Sequence, residues 1–327
     1  MDIDNYIKKI FHINSESEFN DYALKLFHYQ YKNNNIYNQY IKLLYSETKT
    51  IKHYSEIPFL PIELFRTQRI VSTEKKHQNV FLSSGTTSQL KSKHYIIDLK
   101  IYKKSILKSF ELFFGDPKEF VFFCLVPDFK KNPNSSLSFM CNELIKYSSK
   151  SRSGFYLNKT NTLISNIKKC QQEKKKFIIF GLGFEILNFA NKKNISLKGG
   201  LIIETGGTKN NKARILRDDL HKRLKNLFQI DNIISEYGMA ELLSQSYYLN
   251  NKYFQTPPWK KILIRNKTNP LKINTNNYRG HINIIDLANI YSCGFIATND
   301  MGYVKKTGFD VIGRSQHAAN RGCNLMV

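Results

Sequence analysis

Residues 81–94 read Phe81-Leu-Ser-Ser-Gly-Thr-Thr-Ser-Gln-Leu-Lys-Ser-Lys-His94, and the organisation of the chain is legible outward from them. The apolar lead Asn79-Val80-Phe81-Leu82 reads as a strand end. Five hydroxyl side chains (Ser83, Ser84, Thr86, Thr87, Ser88) then surround Gly85, and Lys91, Lys93 and His94 follow. Glycine tolerates positive φ, so backbone N–H groups can curl into a nest around an anion. Hydroxyl and ammonium groups supply further donors and the counter-charge. The stretch reads as a phosphate cradle. The same composition suits a Ser/Thr-rich hairpin loop with solvated lysines. It is not the common P-loop, which needs a second glycine before the lysine, because position 90 is Leu.

Downstream, apolar strands and helices alternate. Asp98 can cap a helix reaching Phe114. Residues 119–127, 176–180 and 200–204 read as buried strands and 233–234 as a short fourth, with helices over 137–147, 161–173, from 184, and over 211–228. Continuous apolar strands between helices predict a mostly parallel α/β sheet. After 245 the pattern shifts to short strands at 262–264, 281–285 and 294–297, a β-rich subregion. Upstream, residues 1–50 carry apolar positions at helical spacing. They lead into Glu56-Ile-Pro-Phe-Leu-Pro-Ile-Glu-Leu-Phe65, where two prolines forbid a continuous helix. The expected organisation is a helical region with its Pro-rich connector over 1–76 and an α/β core over 77–327, one compact domain overall.

Composition excludes several classes. With 41% hydrophobic and 23% charged residues the chain is globular. No run approaches the roughly 18 apolar residues of a membrane span, and Met1-Asp-Ile-Asp-Asn lacks a signal-peptide pattern, so a cytoplasmic location is expected. Cys124, Cys141, Cys170, Cys293 and Cys323 form no CxxC pair, which argues against a zinc site or a disulfide framework. The formal charge of +24 attracts polyanions such as nucleotides or an acidic carrier protein. The lysines are spread throughout an Asn-, Ile- and Tyr-rich chain, as in AT-rich coding sequence, and no arm or helix gathers them into a nucleic-acid footprint. Gly181-Leu-Gly183 follows a strand, but Ile186 breaks the dinucleotide fingerprint. Neither HExxH nor GxSxG occurs.

Three later segments join the cradle: Glu204-Thr-Gly-Gly207, Ser235-Glu-Tyr-Gly-Met-Ala-Glu241, and Thr298-Asn-Asp300 with Gly313-Arg314. In this order they resemble the motifs of adenylate-forming enzymes, which make acyl-AMP from a carboxylate and ATP. That resemblance implies an adenylate-forming N-terminal-domain-like fold. It implies ATP phosphates at Ser83, Ser84, Gly85, Thr86 and Thr87, and a flat base on Gly206 and Gly207. Tyr237 beside Gly238 would stack on adenine, Glu241 would bind Mg²⁺ through a hard oxygen, and Asp300 would hold the ribose hydroxyls. Arg314 would grip ribose or phosphate.

The match is closer still to the LuxE-type acyl-protein synthetases, the acid-activating component of the bacterial luciferase fatty-acid reductase. The chain resembles them in Ile57-Pro-Phe-Leu-Pro-Ile62, Ser83-Ser-Gly-Thr-Thr87, Thr205-Gly-Gly-Thr-Lys209, Tyr237-Gly-Met-Ala-Glu241 and Arg321-Gly-Cys-Asn-Leu-Met326. The resemblance implies a fatty or other carboxylic acid as substrate and Cys323 as the acyl carrier. It also implies an acyl-accepting partner, either a carrier protein or a reductase.

Departures are visible. Ala240 stands where Thr is common, and Asn299 replaces the middle Gly of Thr-Gly-Asp. The chain ends 13 residues after Arg314, so the mobile C-terminal domain of larger relatives, with its catalytic lysine, is expected to be absent. Lys91, Lys93 and Lys209 are the cations available to replace that lysine. Two other outcomes stay open: acyl transfer to coenzyme A or an acyl carrier protein, and a non-catalytic nucleotide-binding protein of the same fold.

Overall fold

The computed structural model describes residues 1–45, 50–84, 90–192, 195–206, 216–249, 252–266, 269, 271–274 and 278–314. The first elements are α1 (Ile3–Ile10), α2 (Glu16–Asn33), α3 (Asn35–Leu44), β1 (Leu60–Pro61) and α4 (Leu64–Thr67). Next come β2 (Asn79–Leu82), β3 (Lys93–Ile96), α5 (Leu99–Phe114), β4 (Val121–Leu125), α6 (Ser136–Ser148), β5 (Gly154–Phe155) and α7 (Thr160–Gln172). They are followed by β6 (Phe177–Leu182), α8 (Gly183–Lys192), β7 (Gly200–Thr205), α9 (Arg217–Phe228), β8 (Ile233–Tyr237) and β9 (Ser246–Leu249). The last are β10 (Tyr253–Gln255), β11 (Lys260–Arg265), β12 (Ile273–Asn274), β13 (Gly280–Asp286), β14 (Phe295–Lys305) and β15 (Gly308–Arg314). Two compact units result, Lys75–Lys252, and Met1–Glu74 together with Tyr253–Val327.

In the unit Lys75–Lys252 the strand order is β9-β8-β7-β6-β4-β5, parallel except for β9. All five residues of β4 are buried, as a parallel strand covered on both faces requires. Ile202 and Ile233 on one face pack with Leu220, Leu224 and Phe228 of α9. Asp98 caps α5 by accepting from Lys100 N–H. Gly181 lies inside β6, where a Cβ would stand 2.8 Å from Leu125, so close strand packing accounts for this glycine. The helix expected over 211–228 starts at Arg217, with Leu216 extended as its N-cap; residues 211–215 lie outside the described residues.

The other unit carries α1–α4 and the strand order β12-β11-β13-β14-β15-β10, with β1 also on β14. Gln30 of α2 is fully buried, and its amide is saturated by Asn289 O at 2.8 Å, Ile290 O at 2.9 Å and Gly294 N–H at 3.0 Å. Burying that amide without partners would cost several kcal/mol, on the order of 2–7. Tyr37 O–H donates to Pro58 O at 2.6 Å and Tyr40 O–H to Phe59 O at 3.0 Å. Two helix tyrosines thus hold the Pro-rich connector extended, and β1 pairs in parallel with β14. Among the described residues no helix is long and apolar enough to cross a membrane.

Candidate functional site

In the unit Lys75–Lys252, β2 and β3 form an antiparallel hairpin whose loop is the cradle. Its neck is closed by Ser83 N–H donating to Ser92 O at 3.1 Å and Ser92 N–H donating to Ser83 Oγ at 3.0 Å. Ser83 is half-buried, while Ser84 and Lys91 are exposed; Gly85, Thr86 and Thr87 lie outside the described residues. His94, which follows the loop in β3, turns inward. It is 1% exposed, and its Nδ1 lies 2.7 Å from Ala240 O, which fixes the Nδ1–H tautomer because a carbonyl only accepts. One side chain therefore ties the cradle's stem to the Tyr237–Glu241 segment. Ser105 of α5 and Ser244, three residues beyond Glu241, bring their hydroxyls within 3.1 Å of each other.

The parallel strands point their C-terminal ends at this region, where ligands of open α/β sheets bind. At the end of β7 Gly206 has φ +74°, a turn that suits glycine; Gly207 lies outside the described residues. Tyr237 ends β8 half-buried, and Gly238 follows, exposed. A Cβ on Gly238 would stand 2.3 Å from Glu236 Oε1, so this glycine makes room for a carboxylate. Glu236, itself buried, accepts from Thr205 Oγ1 at 2.5 Å and so joins the ends of β7 and β8. Burial, then Cys124 and Glu236, push the Cys141 thiol up; burial, then Glu236, push up the Tyr247 phenol.

On the opposite face, Glu204, Ser235 and His221 of α9 form a second buried cluster. Ser235 Oγ donates to Glu204 Oε1, and His221 Nε2 lies 3.0 Å from Ser235 Oγ and 3.4 Å from Glu204 Oε1. Both partners meet the same ring nitrogen, so this is not a hydrolase triad, whose acid and nucleophile use opposite nitrogens.

Glu241 is 4% exposed and lies in a turn closed by Leu242 N–H donating to Met239 O at 3.2 Å. Among the described residues no group of three His, Cys, Asp or Glu could hold a metal ion. A single carboxylate does fit a Mg²⁺ that keeps water and phosphate oxygens as its remaining ligands, the usual habit of that ion at nucleotide sites. The donor set suits magnesium arriving with a nucleotide, not a metal caged by protein alone.

In the unit Met1–Glu74 with Tyr253–Val327, the register sets Asp300 opposite Arg314, the last residue of β15. Asp300 is 6% exposed, and its N–H donates to Thr298 Oγ1 at 3.2 Å. Thr298 Oγ1 in turn donates to Ile282 O at 2.8 Å. Asn299 Nδ2 donates to Glu63 Oε1 of the Pro-rich connector. Arg265 donates through Nη1 to Asn283 Oδ1 at 2.7 Å and through Nη2 to Thr298 O at 2.6 Å. Burial lowers the Arg265 pKa, with Glu63 and then Tyr40 acting in the opposite direction. Cys323 lies outside the described residues.

The profile of the acyl-protein synthetase family LuxE matches residues 11–327. The chain belongs to the LuxE family. In fold this LuxE-family chain is similar to 2-hydroxyisobutyryl-CoA ligase in complex with 2-HIB-AMP, with TM-score 0.68 at 11% identity over 91% of this chain and 67% of that one. It is similar to ATP-bound MatB from Rhodopseudomonas palustris, with TM-score 0.54 at 10% identity over 82% of this chain and 50% of that one. A luciferase-like enzyme from the nonluminescent mealworm Zophobas morio gives TM-score 0.53 at 16% identity, over 82% and 65%. These likenesses establish the α/β fold of adenylate-forming enzymes, and the chain spans about half the length of MatB. No curated protein matches the chain in sequence.

Several residues at the motifs carried no weight in the sequence. Glu236 and Ser235 sat inside a quoted motif, but nothing in their spacing showed the partners Thr205 and His221. His221 occupies an ordinary buried position of an amphipathic helix. Glu63 and Arg265 reach Asn299 and Thr298 across 236 and 33 residues of chain, which only the fold brings together.

Proposed function

We propose that this protein activates a carboxylic acid with ATP and passes the acyl group to a thiol. The observation that carries the reading is the His94–Ala240 hydrogen bond, which ties the hydroxyl-rich loop to the segment bearing Tyr237 and Glu241. Family membership and the shared fold support the same assignment. A carboxylate oxygen attacks the α-phosphorus, the bond to the β-phosphate breaks, and pyrophosphate leaves with its electron pair. Ser83, Ser84, Gly85, Thr86, Thr87 and Lys91 receive the phosphates, Gly206, Gly207, Tyr237 and Gly238 the adenine, and Asp300 with Arg314 the ribose. Bound at Glu241, Mg²⁺ would neutralise phosphate charge. What the chain supplies is positioning and charge complementarity, the terms that dominate phosphoryl-centred chemistry.

In the second half, the Cys323 thiolate attacks the acyl carbonyl and AMP departs, leaving a thioester for an acyl-accepting protein. A free thiol has a pKa of about 8.5, and Arg321 two residues away favours the thiolate. A long-chain fatty acid is the substrate class in this reading. Transfer to coenzyme A is the second reading, favoured by the fold shared with a CoA ligase. ATP–pyrophosphate exchange with fatty acids of graded length tests the first half. Acid-dependent exchange is expected, and ATP binding without exchange for any acid would leave a nucleotide-binding protein. A labelled acid should then leave a hydroxylamine-sensitive label on wild type but none on Cys323→Ser, which should still form acyl-AMP. Label transferred to coenzyme A equally fast by Cys323→Ser would reject self-acylation and keep adenylation.

A further inference from the structure

The Thr298-Asn299-Asp300 segment sits where β14 changes partner. Up to Ala297 its outer edge pairs with β1, through Leu60↔Ile296 and Pro61↔Ala297, and Ile62 N–H donates to Ala297 O at 3.0 Å. From Asp300 onward the same edge pairs with β15. On the inner edge Asn283 opposes Ala297 and His281 opposes Met301, so Ile282 alone faces three residues, 298–300. A bulge of this kind interrupts the ladder and re-aims side chains, and it persists only if other bonds replace the lost ones.

The replacements come from outside β14. Arg265 bridges Asn283 Oδ1 and Thr298 O, pinning the bulge to the strand beside it. Glu63 stands at the N-cap of α4, yet its side chain makes no capping bond; it accepts from Asn299 Nδ2 instead. Within the bulge Thr298 Oγ1 receives the Asp300 N–H and donates to Ile282 O. Asp300 therefore follows two anchored neighbours.

We propose that Glu63 and Arg265 are positioning residues that clamp the bulge so that Asp300 presents its carboxylate to the ribose hydroxyls of the nucleotide. The proposal rests on the adenylation reading above. It also accounts for Asn299, because the side chain that replaces glycine at this position supplies the latch to Glu63. The Pro-rich connector and the Thr298-Asn299-Asp300 motif become one device, since β1 and Glu63 grip the strand on either side of the partner change. Arg265 suits its part because a planar guanidinium donates in two fixed directions, which lysine does not.

The test compares ATP with 3′-deoxy-ATP by calorimetry in the full-length chain. Wild type should bind ATP at least about tenfold more tightly, the scale of one charge-assisted hydrogen bond. Asp300→Ala should bring the ratio to about one. Glu63→Ala, Asn299→Ala and Arg265→Lys should each lower it by weakening ATP while leaving 3′-deoxy-ATP nearly unchanged. Glu63→Ala with Asn299→Ala should lose no more than either alone, because both remove one latch. A ratio unchanged in Glu63→Ala and Asn299→Ala, with both nucleotides weakened alike or not at all, overturns the clamp and leaves the adenylation reading standing. A wild type that binds neither nucleotide overturns that reading and the clamp with it.

Discussion

Replacing Gly238 by alanine should uncouple the ends of β7 and β8. The new Cβ would stand 2.3 Å from Glu236 Oε1, well inside the 3.0 Å that real Cβ contacts respect, so the carboxylate must retreat. It is 7% exposed, and its other oxygen receives Thr205 Oγ1 at 2.5 Å, so retreat strains or breaks that bond. A charge-assisted bond of this kind is worth about 1.5–3 kcal/mol. At about 2–4 °C per kcal/mol for a unit of this size, the thermal midpoint should fall by about 3–12 °C. Gly238 is not among the glycines with positive φ, so backbone strain adds nothing to this figure. Thr205→Val removes the same bond from the other side. Scanning calorimetry of both single variants and the double should show non-additivity, the double falling no further than the worse single. A midpoint unchanged in Gly238→Ala, or decrements that simply add, would refute the argument that this glycine exists to seat Glu236.

Thr86→Val with Thr87→Val keeps the size and removes two donors worth roughly 1.5–3 kcal/mol each. ATP affinity should drop at least tenfold by calorimetry, and unchanged affinity would remove the phosphates from this loop. Glu241→Gln should lower acyl-AMP formation by orders of magnitude, with partial recovery at high Mg²⁺; normal turnover would make Glu241 a packing residue. The Arg152 guanidinium, then Lys175, holds the Glu173 carboxyl down from 4.5 to about 2. A depressed carboxylate stabilises the fold above its unfolded pKa and loses that contribution as pH falls from about 4.5 to about 2. Glu173→Gln should flatten this part of the melting-temperature profile slightly, as screening at an exposed pair allows; an identical profile would show that the pair contributes nothing.

Apolar runs made the parallel strands easy to read: residues 121–125 and 177–180 carry no charged side chain, and all nine are buried in β4 and β6. Asp98 likewise announced α5 because a capping side chain acts on residues next to it in the chain. Short strands were missed where pairing, not local composition, makes them. β5 is two residues paired to β4, and β1 exists because β14 lies beside it. β14 also runs eleven residues, well past the four expected, because β15 lends it a second partner. At the site, residue types were legible and couplings were not. Ala240 looked like a lost hydroxyl, yet its carbonyl is what His94 holds, a group every residue has.

The unit built from both ends of the chain has a consequence for biosynthesis. Tyr6 donates to Leu287 O across 281 residues, and Gln30 waits for Ile290 across 260. At roughly 5–20 residues per second, Tyr6 is synthesised about 15–55 s before its partner. Lys75–Lys252 is contiguous and its own strands pair within it, so it can mature during that interval. The first three helices meanwhile carry Phe19, Leu26, Phe27 and Tyr37 with no sheet to cover them, a period in which a holding chaperone would find ready apolar surface. Synthesis order leaves the early helices waiting for partners made near the other end of the chain.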